Sequence, residues 1–459
     1  MMRLSKNKKY QYLFFFIFSL FVIFNGGNSN LLIQINYILI GLLFLYCFKD
    51  KNYFTHFKIF YLKNKFSIFF YILFLLYLIF QILPLPIDYL KLFSSFKYDY
   101  ITKLRNDTSF SPISLSPSNS YFQILNFTSL LILVFILKMI FYTERHKNRL
   151  FLFLSLIGFL SALFAIVIYL IGNPNFFIFY NSYYANSSSG FFINRTVFAI
   201  FLLFCLVASL EFLKNLDTKK TIRNQDNFFL KIYIRLFIIF ITIGIITSFS
   251  RIGNFLLLIT IFFYLINEFF FIKNDNKSFR YILLLIIFFD ILILGIYFGS
   301  YQLFDRFYFL KDELITTTSS EVNLNRFEII KFGLSQLYNF KFFGYGAGGF
   351  ETLFKINYIN LDSAYANHAH SDVIEFIGEF GFVGFVILIM SLIKFLFNKI
   401  NYSFINLILI SYLITLLFFD FSLHIPLIQI SFLIFFTLNK NYSVWLALSN
   451  FAPSWIIGL

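Results

Sequence analysis

The feature that most constrains this chain is a repeating alternation of long apolar runs with short polar breaks. A helix crosses a bilayer with roughly 20 apolar residues, and about twelve runs approach that length. They lie at Tyr10–Phe24, Leu31–Phe48, Phe66–Leu83, Tyr121–Tyr142, Leu150–Ile171, Phe191–Leu213, Ile232–Phe249, Ile252–Ile272, Tyr281–Gly299, Asp372–Phe397, Tyr402–Phe419 and Ile425–Leu438. The 459 residues are 59% hydrophobic and 13% charged, more apolar surface than a soluble protein of this length can hide. The expected fold is therefore an all-α polytopic membrane protein, a single integral membrane domain over residues 1–459 with about 12 transmembrane helices.

The formal charge of +15 does not point to nucleic acid, because the cations sit in short clusters between apolar runs. Lys49 to Lys65, Arg145 to Arg149, Lys214 to Arg223, Lys273 to Arg280, and Lys394 with Lys399 fall in alternate loops, and Lys440 follows the last run. The intervening breaks Asn25–Asn30, Gly172–Ser189 and Asp420–His424 contain no Lys or Arg. Excess positive charge marks cytoplasmic loops, so both termini are expected in the cytoplasm. Arg3, Lys6, Lys8 and Lys9 precede a first helix that is read as retained, since no small-residue cleavage site follows it. Cys47 and Cys205 lie inside apolar runs and read as packing residues rather than a disulfide or metal pair.

Two long segments then face outward, residues 84–120 and 300–371. The first contains the turn-rich Ser111–Pro117. The second is large enough for a partly helical lid, with an amphipathic stretch at Arg326–Tyr338 and a glycine cluster at Gly344–Gly349. That cluster lacks the Lys and Ser/Thr of a phosphate-binding loop and reads as a flexible hinge. Residues 444–459, with Trp445 and Trp455, read as an interfacial tail.

The polar residues that break the pattern gather on the same expected side. Arg195 and Arg251 stand at outer helix ends, where short loops otherwise avoid positive charge. An arginine at a helix end ordinarily snorkels to headgroups. Accepted against the charge trend, its planar fork instead suits phosphate oxygens. Arg306 and Arg326 lie in the second long segment, and Asp420 and His424 in the last outer turn. His368 and His370 end the segment just before a helix that Ser371 or Asp372 can cap. Neutral imidazole suits general-base work on a sugar hydroxyl, with His370 preferred over His368. Asp372, Glu375 and Glu379 share one helical stripe. The first two read as favourable charge at a helix N-terminus. Glu379, two turns in, reads as a functional carboxylate or a partner for an arginine. Gly381 and Gly384 let another helix backbone approach. No Cys/His metal spacing is present, so metal-independent chemistry with no cofactor is expected.

These residues resemble the bacterial O-antigen ligase and O-antigen polymerase superfamily. Its signature, a His followed by Asn, Ser or Gln, nine residues and Gly-x-x-Gly, is met by His370-Ser371 through Gly381 and Gly384. Gly190–Ala199, Ser248–Arg251, Arg326 with Gly344–Phe350, and Asp420–Pro426 follow the family order. One departure is Asn194-Arg195-Thr196-Val197, where family members often read Asn-Arg-Asn-His. The resemblance implies an enzyme of the bacterial inner membrane that works on the periplasmic side. It would take a glycan from polyprenyl pyrophosphate and join it to an acceptor hydroxyl on another glycan or on the lipid A core. By that resemblance Arg195, Arg251 and Arg326 hold the pyrophosphate. His370 takes the acceptor proton, steered by Glu375 or Glu379, with His368, Asp420 and His424 as further polar groups. Ligase and polymerase are not separated, although Ser111–Pro117 and Asp420–Pro426 lean toward polymerase. The alternative from another class is a non-enzymatic lipid-glycan flippase or transporter.

Overall fold

The computed structural model describes residues 6–104, 108–174, 186–218, 225–271, 279, 281–286, 326–358, 366–397 and 404–438. Arg306, most of the expected span Tyr281–Gly299, the extreme termini and the 444–459 tail lie outside them. The helices are α1 (Lys6–Ile23), α2 (Asn30–Phe48), α3 (Lys51–Lys63), α4 (Lys65–Ile82), α5 (Ile87–Phe93), α6 (Ser95–Lys103), α7 (Pro117–Ile140), α8 (Glu144–Leu170), α9 (Arg195–Thr218), α10 (Gln225–Thr247), α11 (Arg251–Ile266), α12 (Arg326–Leu337), α13 (Phe350–Asn357), α14 (Asp372–Phe397), α15 (Phe404–Phe419) and α16 (Pro426–Leu438). Among the described residues, eight helices are long and apolar enough to cross a membrane, and α15 and α16 are shorter apolar helices. The chain is a multi-pass membrane protein built from helices.

Local chemistry sets several helix starts. Pro117 and Pro426 open α7 and α16, where a missing N–H costs nothing. Ser29, Thr143 and Ser250 cap α2, α8 and α11 by accepting from Leu32, His146 and Gly253 N–H. At the centre, α9 is enclosed by α8 and α10, and small residues allow the approach. A Cβ on Gly158 would stand 2.4 Å from Cys205 Cβ, and one on Gly244 would stand 3.0 Å from Ala162 Cβ. Both cysteines are free and buried, as packing residues should be.

Three expectations change. The break holding Lys51 to Lys63 is itself a helix, α3, packed against α7. The long outer segment before α7 also holds regular structure of its own. It carries α5, α6 and a two-residue antiparallel pairing of Leu85–Pro86 with Phe110–Ser111. The half-buried Lys97 amine ties it together by donating to the carbonyls of Pro112 and Ser114 at 2.6 and 2.5 Å.

The third change concerns the glycine cluster, which is a clamp and not a hinge. Its backbone lies between the Ser114–Ser120 segment and α14. Tyr345 and Gly346 N–H donate to the carbonyls of Gly378 and Glu379 at 2.9 and 3.1 Å. From the other side, Leu115 N–H donates to Tyr345 O at 2.9 Å and Ser120 Oγ to Ala347 O at 2.7 Å. A Cβ on Gly344 would meet Glu379 O at 2.2 Å, which only glycine avoids. The loop also answers the expectation for Gly381: this loop, not a helix, comes close there. α14 breaks at Gly381 (φ 63, ψ 179), and Phe382 and Val383 N–H donate out to Lys341 and Phe342 carbonyls at 2.8 and 3.1 Å.

Polar side chains of α4 satisfy carbonyls at that break and beside the glycine cluster. Gln81 Nε2 donates to Phe343 O at 2.8 Å and Glu379 O at 2.9 Å. Tyr77 OH reaches Phe343 O at 2.8 Å and Phe380 O at 2.7 Å. In an apolar surround these groups have no water to fall back on. Tyr77→Phe is expected to lower stability by about 1–3 kcal/mol, read as a lower unfolding midpoint in detergent. An unchanged midpoint would contradict the role given to this hydroxyl. Above the clamp, Ile329, Phe332, Phe340, Phe350, Leu353 and Phe354 form a second, smaller apolar core.

Candidate functional site

The site is built where α14 begins. His370 sits two residues before that helix in the left-handed region (φ 56). A non-glycine residue there carries about 1–3 kcal/mol of strain. The resulting reversal sets His368 and His370 against one ring: His368 stacks on Phe421 at 4.6 Å between centroids, and His370 meets it edge-on at 5.2 Å. Phe421 belongs to the turn between α15 and α16. Asp372 N–H anchors that turn by donating to Asp420 O at 3.0 Å.

The stripe of carboxylates faces the same turn. Asp372, Glu375 and Glu379 are all buried, at 0%, 2% and 1% exposure. Asp372 takes both of its bonds from the turn: His424 Nδ1 at 2.5 Å and Leu423 N–H at 3.0 Å. Glu375 Oε1 lies 2.9 Å from His368 Nδ1, and Glu375 Oε2 accepts from Ala369 N–H at 2.8 Å. Glu379 Oε1 accepts from Gly348 N–H in the glycine clamp at 2.7 Å. His424 Nε2 points between the two glutamates, 3.5 Å from Glu375 Oε1 and 3.7 Å from Glu379 Oε2. Ser371 does not cap the helix with its side chain; its hydroxyl donates to Leu417 O at 3.3 Å.

The two buried histidines are pushed in opposite directions. Burial, then the Arg326 guanidinium and His368, hold His370 down to about 4, so its ring is neutral at physiological pH. Its Nδ1 is buried with no hydrogen-bond partner. Burial alone would also keep His424 neutral, but Glu375 and Asp372 outweigh it and push His424 well above the ordinary range. Burial raises Asp420, whose carboxylate accepts from the Ser422 hydroxyl. Arg326 is exposed, yet its charge acts on both His370 and Asp420.

Arg195 and Arg251 open α9 and α11, half-buried and exposed respectively. The two helix starts are joined by Ser250 Oγ donating to Thr196 Oγ1 at 3.2 Å. They lie at the same end of the bundle as His424. Ile193 N–H donates to Asn25 Oδ1 at 2.9 Å, and at Gly26 a Cβ would meet both Ile425 at 2.8 Å and Phe192 at 3.7 Å. The structure thus brings His368, His370, Glu375, Glu379, Asp420 and His424 together with Arg326 in electrostatic reach. No described hydrogen bond or ion pair links Arg195 or Arg251 to that cluster.

Three site groups were not anticipated: Asp372 as the partner of His424, Phe421 as a platform for both histidines, and Gly348 N–H as a donor to Glu379. A second surprise is the donor set of His368, Glu375 and His424, whose ligand atoms all lie within 4.8 Å of one another. Local spacing could not show it, because His424 arrives from another helix pair.

The family model for O-antigen ligase matches residues 236–389, a span that includes α11, α12, the glycine clamp, both histidines and the carboxylate stripe. Among curated proteins, nothing matches the chain.

Proposed function

We propose that the chain is an enzyme of the O-antigen ligase/polymerase superfamily, as the match over residues 236–389 supports, and that it transfers a glycan from polyprenyl pyrophosphate to an acceptor hydroxyl. The observation that carries the reading is that His370 and the carboxylate cluster lie at the same end of the bundle as the helix starts bearing Arg195 and Arg251. By the distribution of Lys and Arg, that end faces the periplasm and the termini face the cytoplasm.

In the proposed step, His370 accepts the proton of the acceptor hydroxyl as its oxygen attacks the anomeric carbon. The bond from that carbon to the pyrophosphate oxygen breaks, and the electron pair leaves with the pyrophosphate. Attack opposite the leaving group inverts the anomeric centre. Negative charge grows on the departing oxygens, where Arg195, Arg251 and Arg326 offer fixed positive charge. Guanidinium groups carry that charge without a metal in the transfer step. Glu375 and Glu379 set the field around the proton acceptor; Glu375 already acts on His370. The acceptor is a second lipid-linked glycan for a polymerase or the lipid A core for a ligase.

Arg195→Ala and Arg251→Ala are each expected to weaken binding of polyprenyl pyrophosphate by roughly ten- to a hundredfold, measured by titration of purified protein in nanodiscs. Unchanged binding removes that arginine from the leaving-group site. Deleting the gene and resolving surface lipopolysaccharide by length tests the reading as a whole. A single repeat on the core identifies a polymerase, and bare core with accumulated lipid-linked polymer identifies a ligase. An unaltered ladder contradicts both.

A further inference from the structure

Beneath His370 the geometry holds a group that the transfer step does not use. His424 is 7% exposed, and its Nε2 has no hydrogen-bond partner. That nitrogen faces Glu375 Oε1 and Glu379 Oε2, and His368 Nδ1 bonds the same Glu375 Oε1 at 2.9 Å. We propose that His368 Nδ1, Glu375 Oε1 and His424 Nε2 bind one divalent first-row transition-metal ion of the zinc class, with Glu379 Oε2 as the fourth donor.

Each donor is already aimed. Asp372 holds the opposite nitrogen of His424, which fixes the ring with Nε2 inward. Ala369 N–H holds the second oxygen of Glu375, and Gly348 N–H the second oxygen of Glu379. A carboxylate behind a ligating histidine, with backbone donors behind ligating carboxylates, is the usual outer support of a metal ion. Two imidazoles with carboxylates suit zinc, cobalt or nickel. Magnesium and calcium prefer oxygen throughout.

The consequence is positional. The donors come from the segment before α14, from α14 itself and from the turn before α16. One ion would fasten all three, and with them the strained backbone of His370 two residues from His368. The ion touches no substrate in this scheme. The site rests on its own geometry and does not require the glycan-transfer reading.

Cobalt is the probe. Full-length protein in nanodiscs, stripped with a chelator, is titrated with Co2+ and followed by its visible ligand-field bands and by its unfolding midpoint. The expected result is one ion per chain, bands of a nitrogen–oxygen site and a raised midpoint. His424→Ala and Glu375→Gln each weaken binding by roughly tenfold or more. Because those residues are buried, His368→Gln, at a 25% exposed side chain, serves as the variant that keeps its fold. Arg251→Ala keeps the bands. Folded wild-type protein that takes up no cobalt overturns the site. Bands that persist in His368→Gln also overturn it. The readout uses no glycan, so its failure leaves the transfer reading standing, and loss of transfer leaves the metal result intact.

Discussion

Replacing His370 with Asn is expected to lower glycan transfer by about 10²- to 10⁴-fold while leaving the protein inserted and folded. Asn is the informative choice because it tolerates the left-handed backbone that His370 occupies (φ 56). Alanine there would add a conformational penalty to the chemical one. The effect should be large because the ring is neutral, its Nδ1 has no partner, and Arg326 and Glu375 both act on it from opposite signs. His368→Gln should cost less, since His368 Nδ1 is engaged with Glu375 rather than open to substrate. The comparison is made by quantifying transferred glycan against protein in the membrane fraction. Near-normal transfer in His370→Asn would contradict the base assignment, and a larger loss in His368→Gln would move the role to that ring.

The second large effect is structural. Gly381→Ala is expected to destabilise the protein by about 2–6 kcal/mol, combining a backbone region open essentially only to glycine with overpacking. A Cβ at Gly381 would stand 2.3 Å from Phe342 O and 2.5 Å from Gly344 N. Both are backbone atoms of the clamp, which is itself pinned by Gln81 and Tyr77 and cannot step aside. Displacing the clamp also removes Gly348 N–H from Glu379, so the defect reaches the site. Gly384→Ala is the contrast. A Cβ there would meet Tyr77 Cε1 at 2.4 Å, a side-chain rather than a backbone atom, and the backbone needs no positive φ. Its cost should be about 1–3 kcal/mol. Unfolding midpoints in detergent that place Gly384→Ala at or below Gly381→Ala would contradict the clamp.

Much of the helical plan was legible because a bilayer demands length and hydropathy, and both are written locally. Among the described residues, eight of the expected spans return as long apolar helices. The family motif was legible for the same reason: His370, Gly381 and Gly384 are fixed by spacing. What was hidden is tertiary. Gly344–Gly349 reads as a hinge when its partners are unknown, and becomes a clamp once Ser114 and Glu379 lie on either side. Asp372 and Glu375 read as favourable end charges because one helix shows only their position, not the turn of Leu423 and His424 that they grip. His424 looked peripheral because its three carboxylate neighbours come from a segment about fifty residues earlier. Lys51–Lys63 was missed as a helix because its cations broke the apolar pattern, although they do not prevent the turn.

The account depends on bond transfer rather than movement of an intact lipid-linked glycan. Purified protein in proteoliposomes, given polyprenyl-pyrophosphate-linked glycan and acceptor, tests this directly. The predicted result is release of polyprenyl pyrophosphate in step with a new, inverted glycosidic bond, lost in His370→Asn. Lipid-linked glycan that changes leaflet with its pyrophosphate bond intact would contradict it.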